Sequence, residues 1–449
     1  MQKFSRPPFP QDWVTVLKRS KLVRRLDLRA KQRVRLHNNV LETLCTYRLE
    51  VTLLPALRVF EWYPPDGRSA TQLPLLLSLV GDQLTAIAIV VVDQREAAEK
   101  IMQGTMAILS GRTRHCQSFQ LNFAHMSDAP PVLPPTSSAL SSLVSAMSSL
   151  TFFACPNVPL NPDAITSLAR LRLRYVSLRL PDNTTWPHNF HQTSGIDPFP
   201  TLTDITLYTT VEAYVAFSHA MALPTICSLD LRIVGEPPSN LISELFRSIR
   251  RQFSLDALEE LWIYPSGTPT RESALRCATV VRSEDLRPLL DFPLVKHFNL
   301  HLPCHFALDD AIILDMAKAW PGLHELNLAE DEYCVHASLP SLTALAHLAA
   351  YSHHLDKFGL TVDARDWTGN IEAEEDERVH SAGPHPRYYG DIHPVRRPST
   401  SQVFLWDVGT SPISDSEHVA LFLATIFPML ERVRFPTESG DDEIGRAHV

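Results

Sequence analysis

One spacing recurs along nearly the whole chain. An apolar residue is followed by two variable ones, a second apolar residue, one variable residue and a third apolar residue. Clear copies are Leu57/Phe60/Trp62, Leu84/Ile87/Ile89, Leu202/Ile205/Leu207, Ile226/Leu229/Leu231 and Leu258/Leu261/Ile263. The pattern returns at Val295/Phe298/Leu300, Leu323/Leu326/Leu328, Leu355/Phe358/Leu360, Val403/Trp406/Val408 and Leu430/Val433/Phe435. Weaker copies are Val23/Leu26/Leu28, Cys116/Phe119/Leu121, Met147/Leu150/Phe152 and Leu173/Val176/Leu178. First positions lie 24 to 37 residues apart, except for one step of 48 between Leu355 and Val403. A period of this size marks a stack of supersecondary units, none of which can bury its apolar face alone. The last two apolar positions of each copy alternate with polar residues, the period of a strand with one buried face.

The stretches between copies carry apolar residues at three- and four-residue spacing, which predicts helices. They are 94–109, 211–221, 240–253, 273–290, 308–319, 340–351 and 415–426. Ser239 and Ser414 stand where helix N-caps are expected. A strand and a helix every 30 or so residues predict an α/β leucine-rich-repeat solenoid, a horseshoe with a parallel concave sheet and convex helices. Prolines mark its corners. Six copies are preceded by an apolar residue, a proline and one variable residue, at Pro55, Pro200, Pro224, Pro293, Pro321 and Pro428. Proline cannot continue a helix and turns the preceding residue away from helical geometry, so each cassette stops a helix and launches a strand. Residues 1–443 are therefore expected to form one irregular solenoid. The long step holds an insertion over 363–400, acidic and then proline-rich, expected to be a loosely ordered loop.

Composition narrows the function. The chain has 449 residues, 45% of them hydrophobic, and a net charge of −9, which excludes a basic nucleic-acid module. Its basic N-terminal stretch, from Lys18 to Arg35, reads first as a solvated surface and second as a dock for an acidic partner. Seven scattered cysteines with no C-x-x-C spacing read as reduced thiols of a cytoplasmic or nuclear protein. No signal-peptide pattern opens the chain. The most apolar stretch, 73–92, is broken by Pro74, Gly81 and Asp82. It predicts a helix end, a turn and a buried strand rather than a membrane span. The final residues, Ile444 to Val449, match what a common sequencing-adapter DNA would encode and read as a non-native tail.

The chain contains no GxSxG elbow, no P-loop, no HExxH and no GxGxxG. No catalytic residue, cofactor or metal is expected. His297, His301, Cys304 and His305 are the nearest metal-like group. His297 and His301 would stand about 13 Å apart on a strand, too far to share a zinc ion. What remains is surface. The polar residues flanking the strand apolar positions should line the concave face: Asp204, Thr206, Tyr208, Asp230, Arg232, Glu260, Trp262, Tyr264, His297, Asn299, His301, Glu325 and Asn327. A protein target would bind there, with Trp262, Tyr264 and Arg232 the types that dominate binding hot spots. Trp262 has a second reading, as packing for a neighbouring strand.

Two segments carry a resemblance. Pro10-Gln11-Asp12-Trp13-Val14-Thr15-Val16-Leu17 with Leu22-Val23-Arg24-Arg25-Leu26 resembles the segment just after the F-box in fungal F-box proteins with irregular leucine-rich repeats. Trp406-Asp407-Val408-Gly409-Thr410-Ser411-Pro412-Ile413, His418-Val419-Ala420 and Ile426-Phe427-Pro428 resemble the last repeats of that group. The resemblance implies the target-binding part of an SCF-type ubiquitin ligase receptor. It also implies contact with a Skp-type adaptor, but only through an F-box encoded before Met1, because no LPxE-like start precedes Trp13. The alternative is a leucine-rich-repeat interaction scaffold unrelated to ubiquitination.

Overall fold

The computed structural model describes residues 10–29, 52–63, 73–91, 95–123, 134–182, 186, 197–267, 272, 276–328, 335–365 and 401–435. The chain divides into two compact units. The first comprises Met1–Val234 and Ser266–Thr268, the second Gly235–Pro265 and Pro269–Val449. Both are α/β, built on parallel strands.

In the first unit the strands are β1 (Arg25–Arg29), β2 (Val59–Tyr63), β3 (Ala86–Val91), β4 (Ser118–Phe123), β5 (Phe152–Pro159), β6 (Tyr175–Arg179), β7 (Asp204–Thr209) and β8 (Ser228–Ile233). They pair in chain order, all parallel. Parallel neighbours need a crossover, and helices supply it in several of the connections, among them Leu73–Ser78, Arg95–Ser110, Pro134–Ala146, Pro162–Ala169 and Val211–Ala220. The register sets Leu26, Phe60, Ile87, Phe119, Phe153, Val176, Ile205 and Leu229 side by side across the sheet. From Phe60 onward every one of these is buried. Each such side chain contributes about 1.5–3 kcal/mol when removed from water. The row is thus one strip of the core.

The second unit repeats this arrangement with β9 (Glu260–Pro265), β11 (His297–Leu300), β13 (Glu325–Leu328), β15 (Lys357–Leu360), β16 (Leu405–Asp407) and β17 (Arg432–Arg434). Leu261, Phe298, Leu326, Phe358, Trp406 and Val433 are in register. The step of 48 residues does not break the ladder, because β15 pairs directly with β16. Of the insertion, only 363–365 lie among the described residues; 366–400 and the tail 444–449 lie outside them.

Pro224, Pro293, Pro321 and Pro428 sit between a helix and the next strand; the segments leading to Pro55 and Pro200 lie largely outside the described residues. Each of the six cassette prolines occupies the first central position of a turn. In five cassettes the residue after the turn donates its N–H to the carbonyl of the residue before proline: Leu57 to Leu54, Leu202 to Phe199, Val295 to Phe292, Leu323 to Trp320 and Leu430 to Phe427. Proline presets φ for that position of a β-turn. The residue before proline also closes the helix in two cases, where Trp320 N donates to Met316 O and Phe427 N to Leu423 O. Trp320 is fully buried and meets Phe298 edge to face at 5.1 Å.

Several local expectations are corrected. The copy placed at Met147/Leu150/Phe152 lies three residues further on, at Leu150/Phe153/Cys155, all buried. Phe152 points to the polar face and stacks on Tyr175 at 4.6 Å. Adjacent phenylalanines gave the pattern two frames, and pairing with β4 selects Phe153. Of the helix expected over 273–290, residues 273–275 lie outside the described residues and Arg276 is helical, but the rest is a short strand, a four-residue helix Ser283–Leu286 and a 3-10 turn Arg287–Asp291. Ser239 caps nothing; the helix Ile242–Gln252 starts at Leu241 without a side-chain cap. Asp415, not Ser414, caps Ser416–Ile426, while the Ser414 hydroxyl donates to Arg365 O. Asp309, Ser341, Thr210 and Asn161 cap the helices Asp310–Ala319, Leu342–Tyr351, Val211–Ala220 and Pro162–Ala169 through their side-chain oxygens.

The second unit also holds an unexpected parallel sheet of β10 (Val280–Arg282), β12 (His305–Ala307) and β14 (Val335–Ser338). β12 and β14 follow β11 and β13 and lead into the next helix. Among the described residues no helix is long and apolar enough to cross a membrane.

Candidate recognition surface

Strand alternation carries the chemistry. With the apolar rows buried, the residues between them rise on the other face of each sheet.

On the first unit, Tyr175, Asp204 and Ser228 form one cross-strand row, and Ser177, Thr206 and Asp230 the next. Arg179, Tyr208 and Arg232 form a third. Arg232 clamps Asp230 with two contacts, Nε to Oδ1 at 2.8 Å and an Nη to Oδ2 at 3.0 Å. Burial pushes the Asp230 carboxyl above its ordinary range, and the guanidinium opposes that shift. Burial also raises the Tyr208 phenol, with Arg232 opposing, and lowers Arg179, with Asp182 opposing. Asp204 is exposed and takes a hydrogen bond from Thr203 at 2.6 Å. The row is thus polar, partly desolvated and internally paired.

On the second unit the face is a run of rings. Tyr264 and His301 stack at 4.9 Å with planes 7° apart. Trp262 lies 6.1 Å from Tyr264 and 6.3 Å from His297. His297 continues to His324 at 6.0 Å, and His324 to His354 at 5.9 Å. Near-parallel planes from Tyr264–His301 to His297–His324 mean that these rings, on the strands or beside their ends, partly cover one another's faces, while His354 is tilted by 39°. Trp262 packs on its neighbours, as one of its two readings expects, and is partly accessible.

Ion pairs flank the rings. The Glu325 carboxylate, only 8% exposed, meets Lys357 Nζ at 2.8 Å and His297 Nδ1 at 3.6 Å. Lys296 Nζ meets Glu259 at 2.6 Å, and His324 Nδ1 meets Asp356 at 3.1 Å. Asn327 donates through Nδ2 to Glu325 and to Asn299 Oδ1. Asn299 is fully buried, and its Nδ2 has no hydrogen-bond partner among the described residues. His301 is buried too.

The residues expected from sequence therefore divide. Asp204, Tyr208, Asp230 and Arg232 lie on the polar face of the first unit; Glu260, Trp262, Tyr264, His297, Asn299 and His301 lie on that of the second. Asn299 and His301 are covered by neighbours rather than offered to solvent. His324, His354, Lys296 and Lys357 were not singled out, although His324 and Lys296 share one position of the sequence pattern, just after its first apolar residue. Among the described residues, no three or more His, Cys, Asp or Glu side chains are gathered as a metal site would require. Stacked rings with paired charges offer contact area and fixed hydrogen-bonding groups, the properties of a binding surface. The chain matches no protein-family model and no curated protein.

Proposed function

We propose that this chain is a non-catalytic protein-recognition module, a leucine-rich-repeat solenoid whose parallel concave sheet holds a protein target. The observation that most supports it is the ring run of Trp262, Tyr264, His297 and His324, held upright by adjacent strands and flanked by ion pairs. Side chains preordered in this way lose little freedom on binding, which favours affinity. The resemblance to fungal F-box proteins extends this to the target-binding part of an SCF-type receptor acting in the cytoplasm or nucleus. Adaptor binding would then come from an F-box encoded upstream.

A photo-crosslinking residue placed at Trp262, compared with one at Lys318 on a helix, tests the surface in source cells. Discrete protein adducts from position 262 and none from 318 are expected. Equal labelling from both would refute a dedicated face. Extending the chain upstream through the genomic reading frame and co-expressing it with a Skp-type adaptor separates the receptor from a scaffold. Co-purification supports the receptor; a stop codon just before Met1, or no co-purification, favours the scaffold.

A further inference from the structure

The second unit places two thiols against each other. Cys277 Sγ donates to Cys304 Sγ at 3.9 Å, and both residues are buried, at 3% and 0% exposure. Twenty-seven positions separate them in sequence, so the fold and not the chain brings them together. Cys277 runs into β10 and Cys304 into β12, and these strands pair in parallel at Val280 and His305. His305 N donates to Thr279 O at 2.9 Å, which pins the two approaches side by side. The pair is placed unevenly towards solvent. Arg276 and Ala278, on either side of Cys277, are exposed, whereas Cys304 is fully covered.

We propose that Cys277 and Cys304 are a latent disulfide site, closed by a small peroxide with Cys277 attacked first and Cys304 resolving. A disulfide needs the sulfurs at about 2.05 Å. Bond formation therefore needs the two sulfurs, now 3.9 Å apart, to move together by side-chain rotation with any backbone adjustment the edge strand allows. The Cys277 thiolate attacks one oxygen of hydrogen peroxide; an S–O bond forms, the O–O bond breaks, and hydroxide leaves to become water. The sulfur is then a sulfenic acid. Cys304 Sγ attacks it, the S–S bond forms, the S–O bond breaks, and a second water departs with the Cys304 proton. Two thiols lose two electrons and one peroxide becomes two waters. The bridge would tie the edge strand β10 to the segment that follows His301, the ring stacked on Tyr264.

Two of the remaining described cysteines are poor competitors. Burial pushes Cys116 and Cys155 up to about 12, which keeps both as thiols. Cys227 is half-exposed.

Mild hydrogen peroxide treatment of the folded full chain, alkylation under denaturing conditions and tryptic mapping test this. The expected product joins Cys277–Arg282 to His297–Lys318, with a mass two hydrogens below the sum of its peptides and release by dithiothreitol. It should exceed every other cysteine pair by about tenfold, and unfolding the chain before oxidation should abolish that preference. Cys304→Ser should leave Cys277 trapped as a sulfenic acid that dimedone labels. Both cysteines recovered separately alkylated, or the same pairs from folded and unfolded chain, would overturn the proposal. Because the mapping uses the unaltered protein, it stands even if a cysteine variant does not fold.

Discussion

At the scale of single residues, burial decides which side chains the fold depends on. Trp320 ends the helix Asp310–Ala319, precedes a corner proline and fills the space beside Phe298. Trp320→Ala should cost about 3–5 kcal/mol, read as a lower urea midpoint for the second unit, because the cavity lies between elements that cannot collapse into it. His347, on the helix Leu342–Tyr351, is buried, and burial lowers its pKa below 6.5, with Asp310 opposing and Lys318 reinforcing. The unfolded chain then takes up the proton more readily. Stability is full above about pH 6.5 and is lost as pH falls from there towards the lower folded value. His347→Gln should flatten that loss. Denaturation curves of both proteins at about pH 5.5 and 7.5 check this, and an equal pH response in both would contradict it.

At the scale of elements, the strand was legible and the helix less so. Most strands of the main ladders carry their own pair of alternating apolar residues, as at Phe298/Leu300 and Leu326/Leu328, whereas β17 holds only Val433 and Phe435 after it is exposed. The exception at β5 arose because Phe152 and Phe153 satisfy the alternation equally, and only pairing with β4 distinguishes them. Helix starts failed where a serine stood near the right place but the cap came from a neighbour, as at Asp415, or from no side chain at all, as at Leu241. A cap is fixed by backbone geometry that spacing does not encode. The sheet of β10, β12 and β14 was illegible for a related reason: strands of three or four residues carry too few positions for a period to show. Gly81 exposes another constraint of this kind. A Cβ there would lie 2.8 Å from Pro55 O and 3.0 Å from Pro55 Cα, both backbone atoms. Gly81→Ala should therefore cost about 1–3 kcal/mol by forcing the two segments apart, measured by thermal or urea unfolding.

At the scale of the molecule, each unit is stabilised by neighbour upon neighbour, which grades protection along its sheet. In the second unit β11 and β13 are paired on both sides, whereas β17 is paired only with β16 among the described residues. Beside β17, Leu421, Met429 and Phe435 are exposed. Amide exchange should be slowest in β11 and β13 and at least about tenfold faster in β17. Uniform protection across the ladder would mean that the unit opens as one block. The net charge of −9 says little about binding at this scale. The charged groups on the candidate face are paired locally, Glu325 with Lys357 and Glu259 with Lys296.

The sequence by itself determined the parallel strands of the main ladders, most of their buried positions and the turns at the prolines. All three follow from local rules, namely side-chain alternation, the missing proline N–H and a period too long for one element. It also placed Trp262, Tyr264 and His297 on the polar face, because alternation leaves them no other side. Tertiary structure alone decided that Asn299 and His301 are covered, that His324 and His354 extend the ring run, and that Cys277 meets Cys304. Those facts depend on how far neighbouring strands and their connections lean towards one another, a distance that no spacing along the chain records.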